Sequence, residues 1–182
     1  MRIIAGEFRG RHIEAPPHRK TRPMLDRVRE ALFSRLMHDV VDARVLDLFA
    51  GSGSLGLESL SRGAASARLV EADRGTARLL ERNVRELGVE ERAEVLCADA
   101  LARSSWGESA DLIFCDSPYP MLSESREPLF RALEALVTGV LEPTGVLVFH
   151  APYRVVRSTE FVGASEVDSR RYGTNELWFL RP

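Results

Sequence analysis

Lysine is nearly missing from this chain: of 25 basic residues, only Lys20 is not an arginine. The preference for arginine is therefore global, and residue type alone marks no single arginine as a phosphate binder. Cysteine is scarce too. Cys97 and Cys115 both fall in apolar, strand-like runs, which offers no disulfide framework and predicts two buried, inert thiols. The four histidines, His12, His18, His38 and His150, show no metal-ligand spacing, so no metal is expected. No apolar run approaches the ~20 residues needed to span a bilayer. The opening Met-Arg-Ile-Ile-Ala-Gly-Glu lacks both a secretory apolar segment and a small-residue cleavage site, and a cytoplasmic protein is expected. Internal repeats and low-complexity segments are absent as well.

What is present fits one globular unit. The 182 residues are 45% hydrophobic and 29% charged, enough to bury roughly 70% of the unfolded surface in a single domain. The net charge of −2 divides unevenly along the chain. Residues 1–35 hold nine basic and four acidic groups, a net of +5, and the remainder holds 16 basic and 23 acidic groups, a net of −7. A basic arm on an acidic body predicts a polyanionic partner met by one face. A merely solvated arm is the competing reading.

After residue 43 the pattern alternates. Apolar runs at 44–50, 66–72, 93–98, 110–116 and 145–150 read as strands, and stretches at 55–62, 74–87 and 124–140 read as helices. Leu79, Leu80, Val84 and Leu87 recur at helical spacing among charged residues. Near-continuous apolar strands between helices predict a doubly wound, mostly parallel sheet covered on both faces. The tail differs: 166–172 and 176–180 flank Gly173-Thr174-Asn175 and predict an antiparallel C-terminal hairpin. At the other end, a short extended segment (3–13, turning at Gly6 and Gly10) precedes a Pro- and charge-rich stretch at 15–23 and a helix at about 25–37. Residues 1–40 are thus expected to form a basic extension packed on a 41–182 domain, the whole a single monomeric unit.

Two short motifs carry the chemistry. Gly51-Ser52-Gly53-Ser54-Leu55-Gly56 follows the strand that ends in Asp47-Leu48-Phe49-Ala50 and precedes a helix. Glycines there let the backbone turn tightly and approach a ligand. Taken alone, the match serves NAD, FAD or S-adenosylmethionine. Asp47 discriminates, because a carboxylate at that strand end repels a pyrophosphate and suits an ammonium and a sulfonium. Glu71, next to Ala72, ends the following strand 20 residues after Gly51 and is placed to accept ribose hydroxyls. Asp99, next to Ala100, ends the third strand and can accept from an adenine amine. Each acid alone could instead cap the helix that follows it.

The second motif is Asp116-Ser117-Pro118-Tyr119. An exocyclic amine on a base is a poor nucleophile because its lone pair is delocalised into the ring. The Asp116 carboxylate and the Ser117 carbonyl form an acceptor pair for its two hydrogens. Pro118 fixes the corner, and Tyr119 offers a face for a base drawn out of its helix. An ordinary turn after a strand is the plainer alternative.

These motifs, together with an opening of the form Arg-Ile-Ile-Ala-Gly…Arg-Gly…Thr-Arg-Pro…Asp-Arg-Val-Arg-Glu-Ala-Leu-Phe, resemble the RsmD family of bacterial 16S rRNA guanine-N2 methyltransferases. The resemblance covers residues 2–10, 21–33, 46–62, 70–74 and 111–119. It implies a Rossmann-like class I methyltransferase fold, S-adenosylmethionine as methyl donor and a guanine of the small ribosomal subunit as acceptor. It also implies cofactor contacts at Asp47, Phe49, Ala50, Gly51, Gly53, Glu71, Ala72, Asp99 and Ala100. Catalysis is implied at Asp116, Ser117, Pro118 and Tyr119, and RNA contacts at Arg2, Arg9, Arg11, Arg22, Arg27 and Arg29. Two departures stand out. The family corner usually reads Asp-Pro-Pro-Tyr or Asp-Pro-Pro-Phe, and Ser117 here keeps the carbonyl while loosening the loop. Met24-Leu25 stand where relatives carry small polar residues. A DNA amino-methyltransferase would use the same corner, and a non-catalytic ribosome-assembly factor would keep the same fold.

Overall fold

A computed structural model describes residues 1–16 and 24–182. The strands among them are β1 (Arg44–Leu48), β2 (Ser66–Glu71), β3 (Ala93–Cys97), β4 (Ala110–Cys115), β5 (Leu141–Pro152), β6 (Glu166–Tyr172) and β7 (Asn175–Arg181). They form one sheet in the order β3-β2-β1-β4-β5-β7-β6. β1 to β5 are parallel, and β7 lies antiparallel between β5 and β6. The doubly wound sheet and its terminal hairpin are as the alternating pattern predicts.

Side-chain alternation explains why the strands read as unbroken apolar runs. Val45, Leu112, Phe114, Val146 and Val148 enter one core layer, with Leu32, Phe33, Leu57 and Leu80. Their neighbours Leu46, Leu48, Ile113, Cys115, Leu147 and Phe149 enter the opposite layer, with Leu129, Leu133 and Leu136. Both faces are covered, so both sets of alternating positions must be apolar. The helices that cover them are α1 (Asp26–Arg35), α2 (Gly56–Ser61), α3 (Arg74–Leu87), α4 (Met121–Glu124) and α5 (Arg126–Gly139). α3 spans the predicted residues. Asp73 caps it by accepting from the Thr76 amide, Gly88 ends it in a left-handed conformation, and Leu79, Leu80, Val84 and Leu87 are buried.

The helix expected at 124–140 forms as α5, beginning after Ser125 (φ −138°, ψ 33°), which separates it from the short α4. Two local expectations give way. β5 starts at Leu141, earlier than Pro143 and Gly145 suggest, because the pairing shifts register between Ala110 and Leu112 and absorbs them as an irregularity. Gly145 passes so close to β4 that a Cβ there would lie 2.8 Å from the Asp111 carbonyl oxygen. Cys97 is exposed rather than buried, unlike Cys115. It sits on β3, the edge strand of the sheet, which is only partly covered.

The N-terminal extension is stitched to the body. The Ile4 and Ala5 amides donate to the buried Glu58 carboxylate of α2 at 2.8 and 3.1 Å, and the Phe8 amide donates to Ser61 Oγ at 2.9 Å. Asn83 of α3 bonds both the amide and the carbonyl of Glu14 and also the Ser52 carbonyl, joining the extension to the glycine loop. Ile3, Phe8 and Ile13 belong to the first core layer. Arg29 corrects an expectation: its side chain is fully buried, and its guanidinium donates to the Arg2 carbonyl oxygen at 2.6 Å. It braces the extension from within and cannot reach an outside partner.

Candidate functional site

The sheet changes direction at β1, which pairs with β2 on one side and β4 on the other. Ligands of open α/β sheets bind beyond the carboxyl ends of strands at such a switch point. Leu48 pairs with Cys115, so the glycine loop after β1 and the Asp116 corner after β4 leave the sheet side by side. Motifs some 60 residues apart in the chain thus become neighbours about one strand spacing apart.

The loop after β1 is held in a strained shape. Phe49 adopts φ 62°, a left-handed conformation that costs a bulky residue on the order of 1–3 kcal/mol. The Ala50 amide donates to the Val70 carbonyl at 2.9 Å, and the Gly51 amide donates to Glu71 Oε2 at 3.0 Å. Gly51 turns at φ 57°, and a Cβ there would meet no atom nearer than 3.9 Å, so the space outside it is open to a ligand. Gly56 serves packing instead: its Cβ would strike Leu69 Cδ2 at 2.2 Å.

Three acids ring the strand ends in different settings. Glu71 is half-buried and accepts from the Gly51 and Asp73 amides, leaving lone pairs on both oxygens for further donors. Asp99 is exposed; its Oδ1 accepts from the Leu101 amide at 2.9 Å. Ala72 is exposed beside Glu71, while Ala100 is buried and its carbonyl accepts from Trp106. Asp47 corrects the reading of direct contact with a cationic ligand. It is 1% exposed and accepts from the Gly56 amide at 2.9 Å, beneath the loop. Burial lifts its carboxyl to about 7, the Asp116 and Glu71 charges push the same way, and the Gly56 hydrogen bond opposes them.

The corner after β4 holds Asp116, half-buried, and Ser117, 2% exposed. Ser117 Oγ is buried with no hydrogen-bond partner among the described residues. Pro118 and Tyr119 lead into α4, their carbonyls accepting from the Met121 and Leu122 amides. His150, which the histidine spacing had set aside, is the missed member of this site. Its Nδ1 lies 2.7 Å from Asp116 Oδ1. Burial lowers its pKa, but the hydrogen bond and charge of Asp116, with help from Asn175, outweigh that and raise it above 6.5. Tyr119 Oη donates to Asn175 Oδ1 at 2.8 Å and stands 3.5 Å from His150 Nε2. The available signal was a polar residue closing the apolar run 146–149 on the strand beside β4.

Of the arginines assigned to RNA, Arg2, Arg9 and Arg27 are exposed. Arg11 is exposed and donates to the Glu86 carbonyl oxygen. Arg29 is buried, and Arg22 lies outside the described residues.

Comparison with known proteins agrees with the geometry. The family model described as conserved hypothetical protein 95 matches residues 1–181. The chain is 43% identical over 120 residues to ribosomal RNA small subunit methyltransferase D of Escherichia coli strain K12, an alignment covering 65% of this chain and 60% of that protein. The structure of yhhF from Escherichia coli superposes with a TM-score of 0.83 at 32% identity, covering 100% of this chain and 97% of the other. An RNA methyltransferase from Salinibacter ruber in complex with S-adenosyl-L-homocysteine shares the fold at 17% identity, with a TM-score of 0.60 over 87% of this chain and 92% of that one. With a mostly parallel seven-stranded sheet, a glycine loop and an acid-Pro-aromatic corner at one switch point, the fold is that of class I methyltransferases, and the chain belongs to the RsmD family.

Proposed function

We propose that this chain transfers a methyl group from S-adenosylmethionine to the exocyclic N2 of a guanine in 16S rRNA. The observation that carries the reading is the pairing of Leu48 with Cys115, which sets the glycine loop and the Asp116 corner next to each other. The residues present fit the cofactor: open space lies outside Gly51, Glu71 keeps lone pairs for ribose hydroxyls, and Asp99 stands exposed at the next strand end. The Salinibacter ruber relative of the fold, crystallised with the demethylated product of that cofactor, supports the choice, as does the name of the Escherichia coli relative. Bound S-adenosylmethionine supplies an electrophilic methyl on a sulfonium.

The chain's own residues prepare the acceptor. Asp116 uses Oδ1 on His150, which leaves Oδ2 for one amine hydrogen. The Ser117 carbonyl takes the other, so the nitrogen pyramidalises and its lone pair turns toward the methyl carbon. As the nitrogen–carbon bond forms and the methyl–sulfur bond breaks, nitrogen gains positive charge; the Asp116 carboxylate stabilises that charge and takes the released proton on Oδ2. Tyr119, 40% exposed and tethered through its hydroxyl to Asn175, presents its ring to the extruded base. Arg2, Arg9, Arg11 and Arg27 meet the RNA backbone from the extension, with Arg22 outside the described residues.

The test is methyl transfer from labelled S-adenosylmethionine to 30S particles lacking the modification, followed by digestion and mapping. Label in N2-methylguanosine at a single 16S nucleotide is expected. Label in an adenosine or cytidine, or transfer to DNA alone, contradicts the proposal.

A further inference from the structure

We propose a second RNA-binding surface, built from Tyr153, Arg154 and Arg171 with Arg27 across the turn, that grips the single strand flanking the target base. The inference rests on the reading that the chain acts on RNA. Its starting point is strain: Arg154 is exposed, yet it is held at φ 66°. A glycine would adopt that conformation without cost, whereas a residue with a Cβ is strained there. Arg154 does not pack into the core. Its guanidinium instead lies 5.2 Å from the Tyr153 ring centroid, and that of Arg171 lies 4.0 Å from the same ring.

The cluster is positioned by the hairpin beside the corner. The Tyr153 amide donates to the Thr174 carbonyl at 2.9 Å, one rung beyond the Pro152–Asn175 pair. Asn175 is the residue that holds the Tyr119 hydroxyl. Arg171 Nε donates to the Gly173 carbonyl at 2.9 Å, which fixes its plane over Tyr153. Arg27 of α1 reaches the same turn, its Nη2 lying 3.9 Å from where a Gly173 Cβ would stand. Among the described residues, none of Arg27, Arg154 and Arg171 has a carboxylate within salt-bridge distance, although eleven other arginines do. Uncompensated cations around an aromatic ring suit phosphates together with unstacked bases, the chemistry of single-stranded RNA.

The test compares the wild type with an Arg154→Gly/Arg171→Ala variant and with Tyr153→Leu. Binding of a fluorescein-labelled single-stranded RNA is followed by anisotropy over a range of KCl concentrations. The double variant is expected to bind at least about tenfold more weakly at low salt, with a log–log salt slope shallower by about 1.4, or about 0.7 for each of two lost phosphate contacts. Its unfolding midpoint should not fall, since glycine relieves the strain at 154, and its S-adenosylmethionine affinity should match the wild type. Tyr153→Leu should weaken binding with the slope unchanged, because it removes stacking and no charge. A double variant with wild-type affinity and slope overturns the proposal. So does displacement of the RNA from the wild type by polyglutamate at equal charge, which would point to an acidic protein partner. Failure of the wild type to methylate 30S particles would remove the guanine reading, while the loss of slope would still establish the RNA surface.

Discussion

At the residue scale, the site is a set of polar groups whose burial changes their chemistry. Asp47 has a folded pKa of about 7 against the usual 3.8. Between those values the folded chain binds more protons than the unfolded chain, so this group's contribution to stability falls as pH rises. His150 acts in the same sense: the stability from its raised pKa is full below 6.5 and is lost as pH climbs through the raised value. Asp47→Asn keeps an oxygen for the Gly56 amide and removes the proton. Urea unfolding at about pH 5 and pH 8 should show a weaker pH dependence in this variant than in the wild type; an equal dependence would exclude the buried carboxyl as its source. Ser117 yields a second expectation. Its hydroxyl is buried and has no partner among the described residues, so Ser117→Ala should stabilise the free protein by about 1 kcal/mol in thermal unfolding. Lower stability would mean that the hydroxyl has a partner inside the folded chain. Asp116 and Tyr119 were legible because they share one short motif. His150 and Asn175 were not, since they lie 34 residues from Asp116 and 56 from Tyr119 and meet them only through the pairing of β4, β5 and β7.

At the element scale, the strands could be read where both faces are buried and were misjudged where local signals conflict with pairing. β1, β2 and β4 begin where their apolar runs begin. The start of β5 was hidden by Pro143 and Gly145, which read as breakers, yet the shifted register beside Ala110 accommodates them. The break between α4 and α5 was hidden because Leu122 and Leu129, seven residues apart, keep a helical spacing across Ser125. The extension was legible as a basic segment, but its attachment to α2 was not. Glu58 makes that attachment with Ile4 and Ala5 from a fully buried position, its charge paired with Arg62 at the end of the same helix. Glu58→Gln replaces an acceptor oxygen by a donor, and should cost about 1–3 kcal/mol and speed hydrogen exchange at the Ile4 and Ala5 amides. Unchanged exchange at both would show that the extension is held by its apolar residues alone.

At the scale of the whole molecule, charge counted along the sequence misplaces charge on the surface. Residues 36–182 sum to −7, yet Arg154 and Arg171 gather beside the corner, while Arg29 of the basic extension is buried. On the proposed function, labour divides across the switch point, with the cofactor expected on the β1–β2 side and the amine on the β4 side. The central claim is therefore that binding and chemistry separate cleanly. The measurement is S-adenosylmethionine affinity by calorimetry alongside single-turnover methyl transfer to 30S particles, for Glu71→Ala and Asp116→Ala. Glu71→Ala should weaken cofactor binding by about 1–3 kcal/mol as ribose hydroxyls lose a charged acceptor. Asp116→Ala should bind the cofactor nearly as the wild type does and transfer methyl at least about 10²-fold more slowly, the mark of an interaction made mainly in the transition state. Wild-type cofactor affinity in Glu71→Ala together with wild-type transfer in Asp116→Ala would contradict the account.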